Sequence, residues 1–135
     1  MSIKVYLSGA SKCLDDLGDT WRRLCEEKVE DYDWDIKVIN PNTYFNYKDM
    51  QPDTTKQCME CLLHHVKTSD VILCNLEHTD KSSGTCIELG YAKALGIPII
   101  GFGKKIGVYE WAEEMCDHVE IDAMDALSYV YSYYL

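Results

Sequence analysis

The sequence predicts an α/β fold, a three-layer, flavodoxin-like doubly wound parallel sheet of about four to five strands in the order 2-1-3-4-5. Three observations predict it. Short apolar runs alternate along the chain with longer segments whose apolar residues recur at helical spacing. One run, Asp70-Val71-Ile72-Leu73-Cys74-Asn75-Leu76, is nearly unbroken, the pattern of a strand buried on both faces of a parallel sheet. The stretch after it opens on Ser82-Ser83-Gly84-Thr85 and closes on Gly96 and Pro98, where a left-handed cap and a helix stop belong. Strand, polar loop and helix in that order bring the loop to one edge of the sheet, the edge where open α/β folds bind ligands.

In order, Ile3-Lys4-Val5-Tyr6-Leu7 predicts the first strand, which runs into Ser8-Gly9-Ala10-Ser11, small residues that let the backbone approach a ligand. Leu14, Leu17, Trp21, Leu24 and Lys28 predict a helix over residues 14–29, broken only by Gly18. Asp35 to Ile39 form a second strand, ended by the turn Asn40-Pro41-Asn42. Residues 41–53, with Tyr44, Phe45, Tyr47, Asp49 and Asp53, lack periodicity and read as a lid or binding loop, its aromatics either stacking on a flat ligand or packing on the sheet. Residues 54–68 predict a helix with Met59, Leu62, Leu63 and Val66 on one stripe; His64 and His65 beside it read as surface or partly buried residues rather than ligands. The third strand is the 70–76 run, and its following helix carries Ile87, Tyr91, Ala94 and Leu95 at helical spacing. A fourth strand over 97–102, a short helix near 109–116, an edge strand over 119–121 and a helix over 124–134 complete the pattern. Tyr129, Tyr131, Tyr133 and Tyr134 on that last helix suggest a partner surface, a homodimer or higher homo-oligomer contact.

Length and composition suit one domain over residues 1–135. Thirteen basic against 23 acidic side chains leave a net charge of −10, a field that repels nucleic-acid phosphates and anionic lipids. The densest basic runs, Arg22-Arg23 and Lys104-Lys105, make no patch to offset it, so neither a nucleic-acid polymer nor a membrane is expected as partner. The amino terminus enters a strand directly, and the seven cysteines are an odd number, which points to reduced thiols and a cytoplasmic protein. Cys58-x-x-Cys61 has no second pair and is ordinary helix-face spacing, so no metal site is expected. Neither a dinucleotide fingerprint nor a P-loop is present, and no cofactor is expected.

The chemistry-bearing residue at the candidate edge is Glu88, expected in the first turn of the third helix. Two readings of it are open. Thr85-x-x-Glu88 fits a capping box, which implies no chemistry. Alternatively, Ser82, Ser83, Gly84 and Thr85 bring three hydroxyls and a flexible backbone to a helix amino end, a seat for an anion or a sugar.

Four stretches in order, Lys4 to Ala10, Val38-Ile39-Asn40-Pro41, Ser69 to Leu76 and Ser82-x-Gly84-Thr85-x-x-Glu88-Leu89-Gly90-Tyr91-Ala92, resemble the nucleoside 2-deoxyribosyltransferase family, including its branch of nucleoside 5′-monophosphate N-glycosidases. The resemblance implies cleavage or transfer of a bond between base and (deoxy)ribose. In it Glu88 matches the glutamate that attacks the anomeric carbon, Tyr6 a tyrosine near the sugar, and Gly9, Ala10 and Ser11 the loop beside the ligand. Asn40 falls within a matching motif and is taken with them as substrate-binding. Serine at position 82 resembles the monophosphate branch, whose serines hold the phosphate, and with it Ser83, Gly84 and Thr85 are expected to bind substrate. One departure stands out: the family's second acid falls at Leu62, which neither hydrogen-bonds a sugar nor moves a proton. Glu60, Glu77 and Asp80 are the candidate substitutes, whereas Asp70 is expected at the opposite end of its strand. The expected function is therefore an N-glycosidase or deoxyribosyltransferase acting on a nucleoside or nucleotide. The alternatives are a nucleotide-binding module without turnover and an interaction domain using its tyrosine-rich end.

Overall fold

The computed structural model describes residues 2–44 and 52–135, with side chains from Thr55 onward in the second stretch. Five parallel strands, β1 (Ile3–Ser8), β2 (Ile36–Ile39), β3 (Val71–Asn75), β4 (Ile99–Phe102) and β5 (His118–Glu120), lie in the order β2-β1-β3-β4-β5. The helices are α1 (Asp19–Asp31), α2 (Pro52–Lys67), α3 (Ser83–Leu95), α4 (Glu110–Glu114) and α5 (Ala123–Tyr134), with short 3-10 turns at Pro41–Thr43 and Thr79–Lys81. This is the doubly wound, flavodoxin-like arrangement that the strand pattern predicts.

The pleat sorts side chains onto two cores. Ile3, Val5 and Leu7 of β1, Val71 and Leu73 of β3, and Ile100 and Phe102 of β4 face α1 and α5, where they meet Cys25, Ala126, Leu127 and Val130. Tyr6, Ile72, Cys74 and Ile99 face the other way, against Val66 of α2 and Leu89 and Ala92 of α3. β3 is buried along its whole length, as its nearly unbroken apolar run predicts.

Boundaries and faces differ from expectation in several places. α1 starts at Asp19 rather than at 14, because residues 11–18 fold as turns in which the Asp16 carboxylate accepts from the backbone N–H of Gly18 and of Thr20. Gly18 is thus the helix's N-terminal cap and no interior break: its φ is +70°, and an added Cβ would lie 2.4 Å from the Ala10 carbonyl oxygen and from Arg22 Nη1. The buried face of α1 runs through Arg22 and Cys25, with Trp21 and Val29 packed against the core, whereas Leu24 is exposed. On α3 the sheet-facing stripe is Thr85, Glu88, Leu89 and Ala92, and the expected Ile87 and Leu95 are exposed instead. α2 begins at Pro52, two residues early; Phe45, Tyr47 and Asp49 of the expected loop lie outside the described residues, as does the side chain of Asp53. The fourth and fifth strands begin two residues and one residue from their expected starts, a difference within the usual scatter of strand ends.

The carboxyl-terminal tyrosines divide. Tyr129 stacks on His118, ring centroids 3.7 Å apart, and Tyr131 on Trp34 at 4.3 Å, while Tyr133 stays 71% exposed. His65 is partly buried under Tyr44, and His64 is exposed. Among the described residues no helix is long and apolar enough to cross a membrane.

Candidate active site

Tyr6 and Ser8 are two apart on β1, so both project from the face that α3 covers. Glu88 lies three residues after Thr85 on the stripe of α3 that packs on that face, so its carboxyl is delivered to the same point. Tyr6 Oη donates to Glu88 Oε2, and Ser8 Oγ donates to Oε1 at 2.8 Å. Both Glu88 oxygens are therefore held by hydroxyls from one strand. Glu88 is only 9% exposed, and burial pushes its carboxyl above the ordinary 4.5; the Tyr6 and Ser8 hydrogen bonds and the positive charge of Arg22 pull it back. The result is a buried carboxylate with both oxygens fixed.

The capping-box reading fails on this geometry. Helix α3 begins at Ser83 with Ser82 as its N-terminal cap, so Glu88 sits in the second turn and turns its carboxyl to β1 rather than back to Thr85. The Ser82 and Thr85 hydroxyls share a 2.6 Å hydrogen bond. No side chain caps the helix, and among the described residues none accepts from the first-turn N–H groups of Ser83, Gly84 and Thr85.

Glu88 opens onto a cavity of about 320 Å³. Its floor is the segment after β1, Gly9, Ser11, Lys12 and Cys13, and its rim is Lys81 with Ser82, Ser83, Gly84 and Thr85 at the start of α3. Its far wall is α2, through Thr55, Cys58, Met59, Leu62 and Leu63. A helix amino end beside two lysines gives this pocket a positive potential on a chain of net charge −10.

A model of the family described as nucleoside 2-deoxyribosyltransferase matches residues 5–124, most of the chain and all of this site. The chain belongs to the nucleoside 2-deoxyribosyltransferase family. Its fold is similar to that of a 2-deoxyribosyltransferase from Bacillus psychrosaccharolyticus, with a TM-score of 0.72 at 20% identity over 96% of this chain and 93% of that one. A 2-desoxiribosyltransferase from Leishmania mexicana gives a TM-score of 0.71 at 18% identity, over 98% of this chain and 99% of that one. A CMP N-glycosidase from Clostridium botulinum gives 0.58 at 18% identity, over 96% and 99%. At these identities the likeness is one of fold. Among curated protein sequences none matches this one.

In this nucleoside 2-deoxyribosyltransferase family member, the predicted Gly9, Ser11, Ser82, Ser83, Gly84, Thr85 and Glu88 all line one cavity, with Tyr6 directly behind Glu88. Ala10 is buried and Asn40 caps the 3-10 turn, accepting from the Asn42 N–H and donating to Glu26; neither is among the described lining residues. Leu62 lines the wall, and Glu88 is the one carboxylate among the described lining residues. The three candidate substitutes lie elsewhere: Glu60 is exposed beside Lys56, Glu77 accepts from the Lys104 N–H, and Asp80 is exposed on its 3-10 turn. Asp70 does sit at the amino end of β3, accepting from the Lys4 N–H. Among the described residues no cluster of three or more His, Cys, Asp and Glu is placed to hold a metal. Sequence reasoning missed Ser8, Lys12 and Lys81 as site residues. Ser8 was legible in its spacing, since it shares the alternation that brings Tyr6 to the same face.

Proposed function

We propose that this chain cleaves or transfers the N-glycosidic bond of a (deoxy)nucleoside or nucleoside 5′-monophosphate, with Glu88 as the nucleophile. One observation carries the reading: a buried carboxylate fixed by the Tyr6 and Ser8 hydroxyls faces a cavity rimmed by a helix amino end. One Glu88 oxygen attacks the anomeric carbon; the new O–C1′ bond forms as the C1′–N bond breaks, and that bonding pair leaves with the base, which takes up a proton. Water or a second base then attacks C1′, releases the Glu88 carboxylate and gives net retention. The Tyr6 and Ser8 hydrogen bonds favour the ionised carboxylate against the pull of burial and keep it aimed, so that little reorganisation is needed at the moment of attack. The first-turn amides of α3 and the hydroxyls of Ser82, Ser83 and Thr85 hold the sugar or its 5′-phosphate, and Lys12 and Lys81 favour the phosphorylated form. Gly9 and Ser11 line the same ligand's other side.

The test is chromatographic detection of free base after incubation with deoxy- and ribonucleosides and their 5′-monophosphates, with Glu88→Ala as control. Base release that the variant abolishes supports the enzyme, and a preference for monophosphates supports a phosphate near Ser82. Leu62 favours a second reading, a nucleotide-binding module without turnover, because an apolar side chain stands in the wall where the family's second acid is expected. That reading predicts nucleotide-dependent thermal stabilisation with no base release. A homo-oligomeric state, with the exposed Tyr133 near the contact, is part of the same proposal and is read by light scattering during size-exclusion chromatography.

A further inference from the structure

Arg22 is the largest fully buried side chain among the described residues, yet it lies on none of the walls of the cavity. It stands on α1, packed beside the Trp21 ring with the guanidinium carbon 4.8 Å from the ring centroid, and reaches the carboxyl end of β1. There Nε donates to the Leu7 carbonyl at 3.3 Å and Nη2 to the Gly9 carbonyl at 2.9 Å. Nη1 donates to Gly18 O at 3.0 Å and to Ser11 Oγ at 3.2 Å. Leu7 and Gly9 are the two residues that flank Ser8, and Ser8 is the residue that donates to Glu88 Oε1.

We infer that Arg22 is a positioning residue of this site: by gripping the carbonyls on either side of Ser8 it aims the Ser8 hydroxyl at Glu88, and through Ser11 it ties down the cavity floor. This deepens the proposal that Glu88 is the nucleophile and rests on it. Three features argue for a specific device rather than a residue buried by accident. A fully buried guanidinium is costly unless its donors are met, and here four acceptors come from one short segment, residues 7–18, that forms the floor. The planar fork matches several acceptors at fixed angles, which a lysine cannot do. The space around it is closed, since a Cβ at Gly18 would collide with Nη1 at 2.4 Å. Among the described residues the ionisable groups coupled to Glu88 are Tyr6 of β1, Arg22 of α1, Cys58 of α2 and Cys74 of β3, and Lys12, Cys13 and Lys81 line the cavity that it faces. Burial pushes the Cys58 and Cys74 thiols up and leaves them neutral, so Arg22 is the charged group of the coupled four.

The test compares Arg22→Lys, which keeps the charge and loses the fork, with Arg22→Gln, which loses the charge, alone and combined with Ser8→Ala. In Arg22→Lys, kcat for base release is expected to fall on the order of 10-fold to 100-fold with KM little changed, the cost of a misaimed nucleophile. Because the aim of Glu88 Oε1 runs through the Ser8 hydroxyl, that loss should largely vanish in the Ser8→Ala background. In Arg22→Gln the acid limb of the pH–rate profile is expected to move to higher pH as well. Losses that multiply independently, or that fall in KM with kcat intact, overturn the assignment. Should neither variant fold, Ser11→Ala removes one acceptor of the fork from a partly buried position and keeps the charge; kcat is then expected to fall with the acid limb unmoved, and an unchanged kcat overturns the assignment. Glu88→Ala run in parallel separates the two ideas: a dead Glu88→Ala beside unaffected Arg22 variants sinks this inference alone, whereas an active one sinks the nucleophile. If no substrate is turned over, the pH dependence of the melting-temperature difference between wild type and Glu88→Gln reads the same carboxyl without catalysis. Arg22→Gln must then shift that dependence to higher pH, and no shift refutes the role.

Discussion

The two long sides of the cavity are built on opposite plans. The side made by β1, the loop after it and α3 is polar, buried and crowded with hydrogen bonds: Tyr6 and Ser8 on Glu88, Arg22 on the loop, Ser82 on Thr85. The α2 side is apolar and looser, with Cys58 and Leu62 buried, Leu63 partly so and Met59 46% exposed. A reacting group has to be held in one place, and several hydrogen bonds from a strand do that; a wall that merely accepts a flat ring needs only shape and contact. On the proposed reading the contrast puts bond-making on the first side and base recognition on the second.

Glu88→Ala is the hardest blow to that division, with base release expected to fall on the order of 10³-fold or more in an assay sensitive to single turnovers. Writing an acid into the apolar side is the converse trial. Leu62→Glu is expected to raise kcat on bases that leave poorly by roughly 10-fold to 10²-fold, and an unchanged rate would mean that the leaving proton comes from elsewhere. Tyr6→Phe weakens the polar side without removing its carboxylate: the loss of a hydrogen bond to a buried charge costs about 1.5–3 kcal/mol of stability, read by denaturant unfolding. Since the Tyr6 hydroxyl lowers Glu88, its loss also moves the acid limb of the rate profile to higher pH.

A gentler probe needs no substrate. Glu88 is raised above 4.5 by burial, so the folded chain holds that proton more tightly than the unfolded one. Its contribution to stability is complete below the unfolded value and is lost as pH rises through the folded one. Glu88→Gln lacks that dependence, so its melting temperature relative to wild type should be most favourable near neutrality and decline as pH falls towards 4. Asn40→Ala touches neither side; losing its cap on Asn42 and its bond to Glu26 is expected to cost about 1 kcal/mol in an unfolding titration. A change in KM there would redraw the cavity to include it.

What could be read in advance follows the range of the forces involved. The strands and their order were legible because burial on both faces writes an apolar run into consecutive residues, as in the four from Val71 to Cys74. The start of α1 was not, because it depends on a positive φ at Gly18 that is set by contacts with Ala10 and Arg22. The α3 stripe was misread for a related reason: two of its four inward positions, Thr85 and Glu88, are polar, Thr85 pairing with the cap residue Ser82 and Glu88 with β1. Local sequence could place Glu88 at the right edge. The choice between cap and nucleophile was settled against the cap by Tyr6 and Ser8, 82 and 80 positions away, a distance no motif spans.

The unspent N–H groups at the start of α3 have a consequence for folding. The Ser82 hydroxyl pairs with that of Thr85 instead of accepting from the backbone, so the helix forms with its first turn left for solvent or an anion to complete. A phosphate seated there would finish the helix as much as fill the pocket. Binding should then slow amide hydrogen exchange at residues 83–85 ahead of the rest of the chain, and should add stability that grows with the logarithm of ligand concentration.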